Sequence, residues 1–267
     1  MDVDSVLDWY ERVRRPLPWR SMRDPYALLV SEVMLQQTQA ARVVPYYEAF
    51  LRRFPDAAAL AVAPVRDVLA AWSGLGYNRR ALALQAAARI VARRGWPDDL
   101  TDLPGVGAYT AAAVASFAWD RQEAAVDTNV RRTIERHDGV ERRANALAAR
   151  AAELLPPGGA ATFNQAMMEL GATVCRPRAP RCPVCPIRDG CATHAAGRPP
   201  ASRQRRRRGA ERFEDSDRWA RGRVLAALLA GEHPPPEITG ERRERVLASL
   251  ERDGLVVREP DGSVRLP

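Results

Sequence analysis

The sequence predicts an all-α protein with a small α+β tail. Three observations carry this. Apolar residues recur at a helical period, strand-like alternation is nearly absent before residue 250, and Asp, Pro and Gly punctuate the pattern at short intervals. Val6, Trp9, Tyr10 and Val13 form the first apolar stripe. A second, mostly apolar helix is expected over 26–37, and Val43, Tyr47, Phe50, Leu51 and Phe54 mark a third. Pro64 suits a first helical turn and opens a helix to residue 72, stopped by Ser73-Gly74. Further helices are expected over 79–94, 108–119, 129–137, 144–155 and 162–174. Residues 197–212, dense in arginine and poor in apolar groups, read as a basic linker. Beyond it, helices over 216–230 and 240–253 precede a hairpin of 255–258 and 263–266. Two helices and a hairpin make residues 213–267 a small winged-helix-like tail.

A chain of 267 residues fits one large domain or two modest ones, and 46% hydrophobic with 28% charged residues is a soluble globular profile. All 41 cationic residues are arginine; there is no lysine. The net charge of +8 favours a polyanion, nucleic acid before membrane. Any chemistry that needs a side-chain amine, such as a Schiff base, is excluded. The acidic Met1-Asp2-Val3-Asp4-Ser5 start has no apolar secretory region, and no 18-residue apolar run is present. The expectation is a cytoplasmic protein with no membrane partner.

Cys175, Cys182, Cys185 and Cys191 follow a C-x6-C-x2-C-x5-C pattern. Two disulfides packed so tightly in a cytosolic protein are a poor fit, so a metal site is the default. Zinc ribbons present two C-x2-C knuckles, whereas one knuckle with two longer arms suits a single iron–sulfur cube; zinc remains the alternative. Arg176, Arg178, Arg181 and Arg188 are placed either to surround an anionic cluster or to face phosphates.

Leu103-Pro104-Gly105-Val106-Gly107-Ala108-Tyr109-Thr110-Ala111 is a Gly-x-Gly turn entering a helix. The glycines permit positive φ and close backbone approach, and the helix N-terminus points amides outward, as a phosphate site requires. An ordinary tight helix connection is the plainer reading. Glu32 is a charge in an almost wholly apolar helix; buried there, its carboxyl would hold a proton at neutral pH. On an exposed stripe it would be an ordinary surface acid. Asp127 stands where a helix begins, the usual place for an N-cap. Together, one neutral and one ionised carboxyl are what cleavage of an N-glycosidic bond requires.

With these residues in place the chain resembles the helix-hairpin-helix/endonuclease III superfamily of DNA glycosylases, most closely the adenine DNA glycosylase (MutY) family. The matching stretches, in family order over about residues 5–195, include Leu17-Pro18-Trp19-Arg20, Ser31-Glu32-Val33-Met34-Leu35-Gln36-Gln37-Thr38-Gln39 and Gly74-Leu75-Gly76-Tyr77. The hairpin, Val126-Asp127-Thr128-Asn129-Val130-Arg131-Arg132, Phe163-Asn164-Gln165-Ala166-Met167-Met168-Glu169-Leu170-Gly171-Ala172 and the cysteine loop complete the set. The resemblance implies a two-lobed fold: a six-helix barrel over 17–126, and a cluster lobe from 1–16 with 127–196 holding a [4Fe–4S] cluster on the four cysteines. A flipped base would enter between the lobes.

By the same resemblance Glu32 protonates N7 of an extruded adenine and later activates water. Asp127 stabilises the cationic sugar, and Asn129 supports that carboxylate or the water. Tyr77 is the residue wedged into the base stack, which offsets part of the few kcal/mol lost on extrusion. Gln36, Gln37, Thr38, Gly105, Val106 and Gly107 face DNA. Tyr109 stands where strand-cutting relatives carry a lysine, so a monofunctional glycosylase is expected, with Tyr109 contributing through its hydroxyl.

Many family members carry a C-terminal Nudix-like domain that recognises 8-oxoguanine; residues 213–267 read differently here. The expectation is therefore a monomer that removes adenine mispaired with 8-oxoguanine or guanine in double-stranded DNA, with a weaker preference for the former. A thymine or uracil mismatch glycosylase shares the hairpin, aspartate and tyrosine, but the segment through Gln39 matches the adenine enzymes. A non-catalytic iron–sulfur DNA-binding regulator would need neither carboxylate.

Overall fold

The structure, a computed structural model, describes residues 1–197 and 212–267. The sequence-predicted basic linker lies almost wholly outside the described residues. Helix α1 (Val3–Val13) starts at Asp2, whose carboxylate accepts from the Ser5 amide at 3.1 Å and supplies an acceptor to a first-turn donor. Its stripe buries Val6, Trp9 and Tyr10, but Val13 is exposed and does not join the core. Helix α2 (Pro25–Leu35) is apolar nearly all round and ends before Gln36. The 26–37 expectation overruns because Gln37 adopts φ +61, which no helix continues through.

Helix α3 (Ala40–Arg53) is followed by α4 (Ala57–Val62), α5 (Val65–Trp72) and α6 (Arg79–Arg94). Pro64 proves to be the residue before α5, and α4, too short for a clear period, has no counterpart in the sequence reading. Then come α7 (Ala108–Trp119), α8 (Thr128–Asp138), α9 (Ala144–Glu153), α10 (Ala160–Thr173) and the single-turn α11 (Ala192–Ala195). Helices α12 (Asp217–Ala230) and α13 (Gly240–Arg252) lead into strands β1 (Val257–Arg258) and β2 (Val264–Arg265). The strands pair antiparallel with Val257 opposite Arg265. The architecture is mostly helical with one small hairpin, as the periodicity predicts.

Two compact units are formed. The first holds residues 1–32, 98–102 and, among the described residues, 106–197. Its centre is α10, which packs on α1, α7 and α8. Tyr10, Ile134, Met167 and Leu170 are fully buried there with Phe163, each contributing on the order of 1.5–3 kcal/mol. Gly171 sets the α10–α8 approach: a Cβ at that position would lie 2.5 Å from Asn129 Cβ and 2.8 Å from Asn129 O. Only glycine lets α10 rest against the start of α8.

The second unit holds residues 33–97, 103–105 and 212–267. Phe50 meets Phe54 and Trp72 edge-on, with centroids 5.0 and 6.0 Å apart. Buried Gln85 donates to the carbonyls of Leu60 and Ala63 at 3.1 and 2.7 Å, which satisfies the end of α4. Helix α12 packs on α5 and α13, with Val224, Leu225, Leu228, Ile238, Val246 and Leu250 buried. Arg66 on α5 donates to the Leu229 carbonyl at 2.6 Å, serving one of the last carbonyls of α12.

Candidate active site

The first unit gathers four of the sequence-predicted residues into one constellation, Glu32 buried and Tyr109, Asp127 and Asn129 partly so. Glu32 projects from α2 and is only 4% exposed, with Leu28, Val33 and Met34 beside it in the chain also buried. It occupies no exposed stripe. Burial pushes its carboxyl from 4.5 up to about 7, a hydrogen bond from Tyr109 pulls it back, the negative charge of Asp127 raises it further, and Arg20 lowers it. Near neutral pH the group is therefore poised between acid and base.

Asp127 caps α8. Its Oδ1 accepts from the amides of Asn129 and Val130 at 2.8 and 2.7 Å, and its Oδ2 accepts from Asn129 Nδ2 at 2.7 Å. The N-cap reading of Asp127 is the one these bonds show. Asn129 is fixed in turn: its Oδ1 accepts from Arg132 Nη2 at 2.7 Å, and Arg132 also reaches the carbonyls of Gly171 and Cys175, each at 2.7 Å. Tyr109, on the first turn of α7, has an enclosed hydroxyl whose acidity is suppressed well past its usual range. Burial is the main cause, with the charges of Glu32 and Asp127 adding to it. It stays protonated, with Glu32 as its acceptor and Met168 Sδ at 3.9 Å.

Beneath this group lies a polar layer that the sequence reading did not single out. Glu169 is fully buried on α10 and takes two bonds from Arg15, at 2.6 and 2.9 Å, and one from Arg20. Arg20 also donates to Tyr10, whose hydroxyl donates to Gln165 at 2.8 Å. Asn164, likewise buried, ties Ser116, the Glu123 carbonyl and the Ala125 amide together just before Asp127. A glutamate among Ala166, Met167, Leu170 and Gly171 is the signal that could have found Glu169; its buried charge demands cations.

The cysteines lie on the same unit, after α10. Arg136, nearly buried, places Nη1 3.6 Å from Cys175 Sγ and donates to the carbonyls of Arg176 and Pro177 at 2.8 Å each. Arg136 stands four residues after Arg132 on one face of α8, and the sequence reading points to the loop arginines instead. Among those, Arg188 pairs with Asp189 at 2.9 Å and Arg176 with the Ala179 carbonyl at 3.1 Å. Burial pushes the Cys185 thiol up to about 11, and the charges of the other three thiols add to that. Four soft sulphur donors with a guanidinium alongside suit an anionic iron–sulfur cluster. Among the described residues, no group of three or more His, Cys, Asp or Glu side chains is already converged on a metal position.

The remaining predicted residues sit on the second unit or at its borders. Gln36 offers its carbonyl to Arg80 Nη1 at 2.5 Å, Gln37 is exposed in the left-handed region, and Thr38 is half-buried. Tyr77 is exposed, also with positive φ. Gly105 has φ +79, and a Cβ there would meet Ala83 Cβ at 2.8 Å, so glycine is required twice over. Gly107 differs from expectation: its φ is −94 and open space surrounds it, so it serves as the N-cap of α7 and leaves the helix amides uncovered. Val106 is buried and has only its backbone to offer.

Residues 30–157 match the family model described as HhH-GPD superfamily base excision DNA repair protein. The chain is 44% identical over 98% of its length to a protein of Mycobacterium tuberculosis named adenine DNA glycosylase, covering 92% of it. It is 42% identical to the Mycolicibacterium smegmatis protein of the same name, over 98% of this chain and 94% of that one. Among solved structures, a thermostable thymine-DNA glycosylase superposes with a TM-score of 0.68 at 32% identity, over 73% of this chain and 95% of the other.

Proposed function

The chain belongs to the adenine DNA glycosylase family of the HhH-GPD superfamily, and from that premise we propose that it removes adenine mispaired with 8-oxoguanine or guanine from double-stranded DNA. It is a DNA glycosylase of base excision repair. The observation that supports the finer reading is the Glu32–Tyr109–Asp127–Asn129 constellation, because a carboxyl raised to about 7 by burial feels the charge of a second carboxylate that is held by its own helix cap.

Glu32, neutral in about half of the molecules near pH 7, donates its proton to N7 of an extruded adenine. The C1′–N9 bond then breaks and its electron pair leaves with the base. The sugar becomes an oxocarbenium ion facing the Asp127 carboxylate, which Asn129 holds in place. Glu32, now ionised, takes a proton from water as the oxygen attacks C1′, and so returns to its neutral form. Tyr109 donates a hydrogen bond to the ionised Glu32 while keeping its proton, and has no amine with which to open the sugar. The product is an uncut abasic strand.

Members of this family generally hold a [4Fe–4S] cluster. Cys175, Cys182, Cys185 and Cys191 would hold it here, where it would fix the fold of their loop and supply a local charge centre. Iron and acid-labile sulfide content of the purified protein checks this. The activity test is base release from 8-oxoguanine:A, G:A, G:T and G:U duplexes. Adenine release from the first two without strand cleavage is the expected result; release from G:T or G:U alone would reassign the chain to the thymine or uracil enzymes.

A further inference from the structure

The corner where the end of α8 meets α11 bears on the cysteine loop from outside it. Helix α11 has four residues, too few to hold a helical turn unaided, and Cys191 is its N-cap. Packing on α8 must therefore fix where that cysteine stands. Two glycines make the contact close. Gly139 ends α8 at φ +71, and a Cβ there would lie 2.9 Å from Ala192 Cβ, nearer than two carbons can approach. A Cβ on Gly190 would come within 3.4 Å of His137 Nε2. The residues on either side of Cys191 thus rest directly on the end of α8.

That end is itself braced. His137 is buried, with Nδ1 2.9 Å from Asp138 Oδ1. Asp138 Oδ2 pairs with Arg142 at 2.9 Å and with Arg150, on α9, at 3.0 Å. The Cys191 thiol also donates to the Arg136 carbonyl at 3.5 Å. A thiolate that ligates iron has no proton to donate, so in the loaded protein this bond is lost and the placement falls to the packing.

We propose that Gly139 is a positioning residue for Cys191: it lets α11 rest on the braced end of α8, which sets the fourth sulphur and thereby how firmly the loop retains an iron–sulfur cluster. This rests on the reading of the four cysteines as cluster ligands. The test is the rate at which a chelator strips iron from the purified full chain, followed by the visible absorbance of the cluster. Gly139→Ala should speed the loss about tenfold. Gly158→Ala puts alanine at φ +66 with nothing within 4 Å, the same backbone strain without the clash, and should lose iron as the parent does. In an Ala192→Gly background the opposing methyl is gone, so Gly139→Ala should there speed the loss less than about twofold. Arg150→Ala withdraws the brace without touching the corner and should speed the loss about threefold. Equal acceleration in both backgrounds, or in Gly158→Ala, overturns the proposal, as does a parental rate in Gly139→Ala or Arg150→Ala. Failure of Gly139→Ala to fold leaves Arg150→Ala to decide on the same two outcomes. Iron absent from the parent overturns the cluster reading alone. The corner is then decided by thiol alkylation: Gly139→Ala should speed labelling of Cys191 relative to Cys182, and an unchanged ratio overturns the proposal.

Discussion

The Glu32 site and the Tyr77 groove use opposite physics. Glu32 is nearly buried, its carboxyl is moved up to about 7, and its neighbours are locked by short hydrogen bonds. Around Tyr77, side chains are half-open, and Arg42, Arg80 and Arg218 have no carboxylate partner among the described residues. The first can move a proton on demand but offers little surface to grip. The second presents exposed rings and guanidinium groups, with no histidine among its lining residues. Separating the two regions lets each be altered without the other.

The largest expected effect comes from Glu32→Gln. Loss of the proton donor and base should cut single-turnover adenine release by about 10²–10⁴-fold, with DNA affinity retained. The same variant tests the burial argument independently. A carboxyl raised from 4.5 to about 7 contributes its full stability below pH 4.5 and loses it as pH rises toward 7. Glutamine cannot ionise, so the stability of Glu32→Gln relative to the parent should grow through that window, by up to about 3 kcal/mol. Denaturant unfolding at pH 5 and pH 8 measures it; no pH-dependent difference would mean that Glu32 is solvated.

Next in size is Glu169→Ala. It removes the acceptor of Arg15 and Arg20 and strands Arg20, which is almost buried, without a counter-charge. The expected loss is about 3–5 kcal/mol of stability, read from urea unfolding. Arg93→Ala, an exposed change on the other unit, should cost less than about 0.5 kcal/mol. Similar losses for the two would show that the polar layer beneath the site is not a buried network.

The same contrast explains how much the sequence reveals. Long helices such as α3 and α6 are legible because burial on one side writes a period into 14 and 16 residues, whereas α4 and α11 are shorter than the pattern needed to detect them. Glu32 and Asp127 stand out because a charge in an apolar run and an acid before a helix are local anomalies. Glu169 is also a charge in an apolar run, but its arginine partners, like the carbonyls that Arg136 serves, lie more than thirty residues away, and no local pattern names them. The Tyr77–Arg218 stack is harder still, since 141 residues separate its members and neither is unusual where it stands.

Gly105→Ala acts on the second unit by sterics alone. Alanine at φ +79 is strained, and its methyl would sit 2.8 Å from Ala83 Cβ, so the turn must shift. A cost of about 1–3 kcal/mol is expected, together with weaker DNA binding; the base-release rate at saturating enzyme should fall much less. A large loss of that rate with unchanged affinity would tie the turn to chemistry instead.

The smallest effect tests the finest feature of the first site. Tyr109 donates to Glu32 and thereby holds the carboxyl below the value that burial alone would impose. In Tyr109→Phe that restraint is gone while the ring remains, so Glu32 should keep its proton to higher pH. The alkaline limb of the release rate, which reports the acid form, should then move upward in pH. If Tyr109 instead served mainly as packing beside Met168, phenylalanine would preserve it, and the limb would stay where it is. A downward move would require that the hydroxyl accepts from neutral Glu32 rather than donating to its anion. The direction of one pH limb thus decides which partner holds the proton in the resting site.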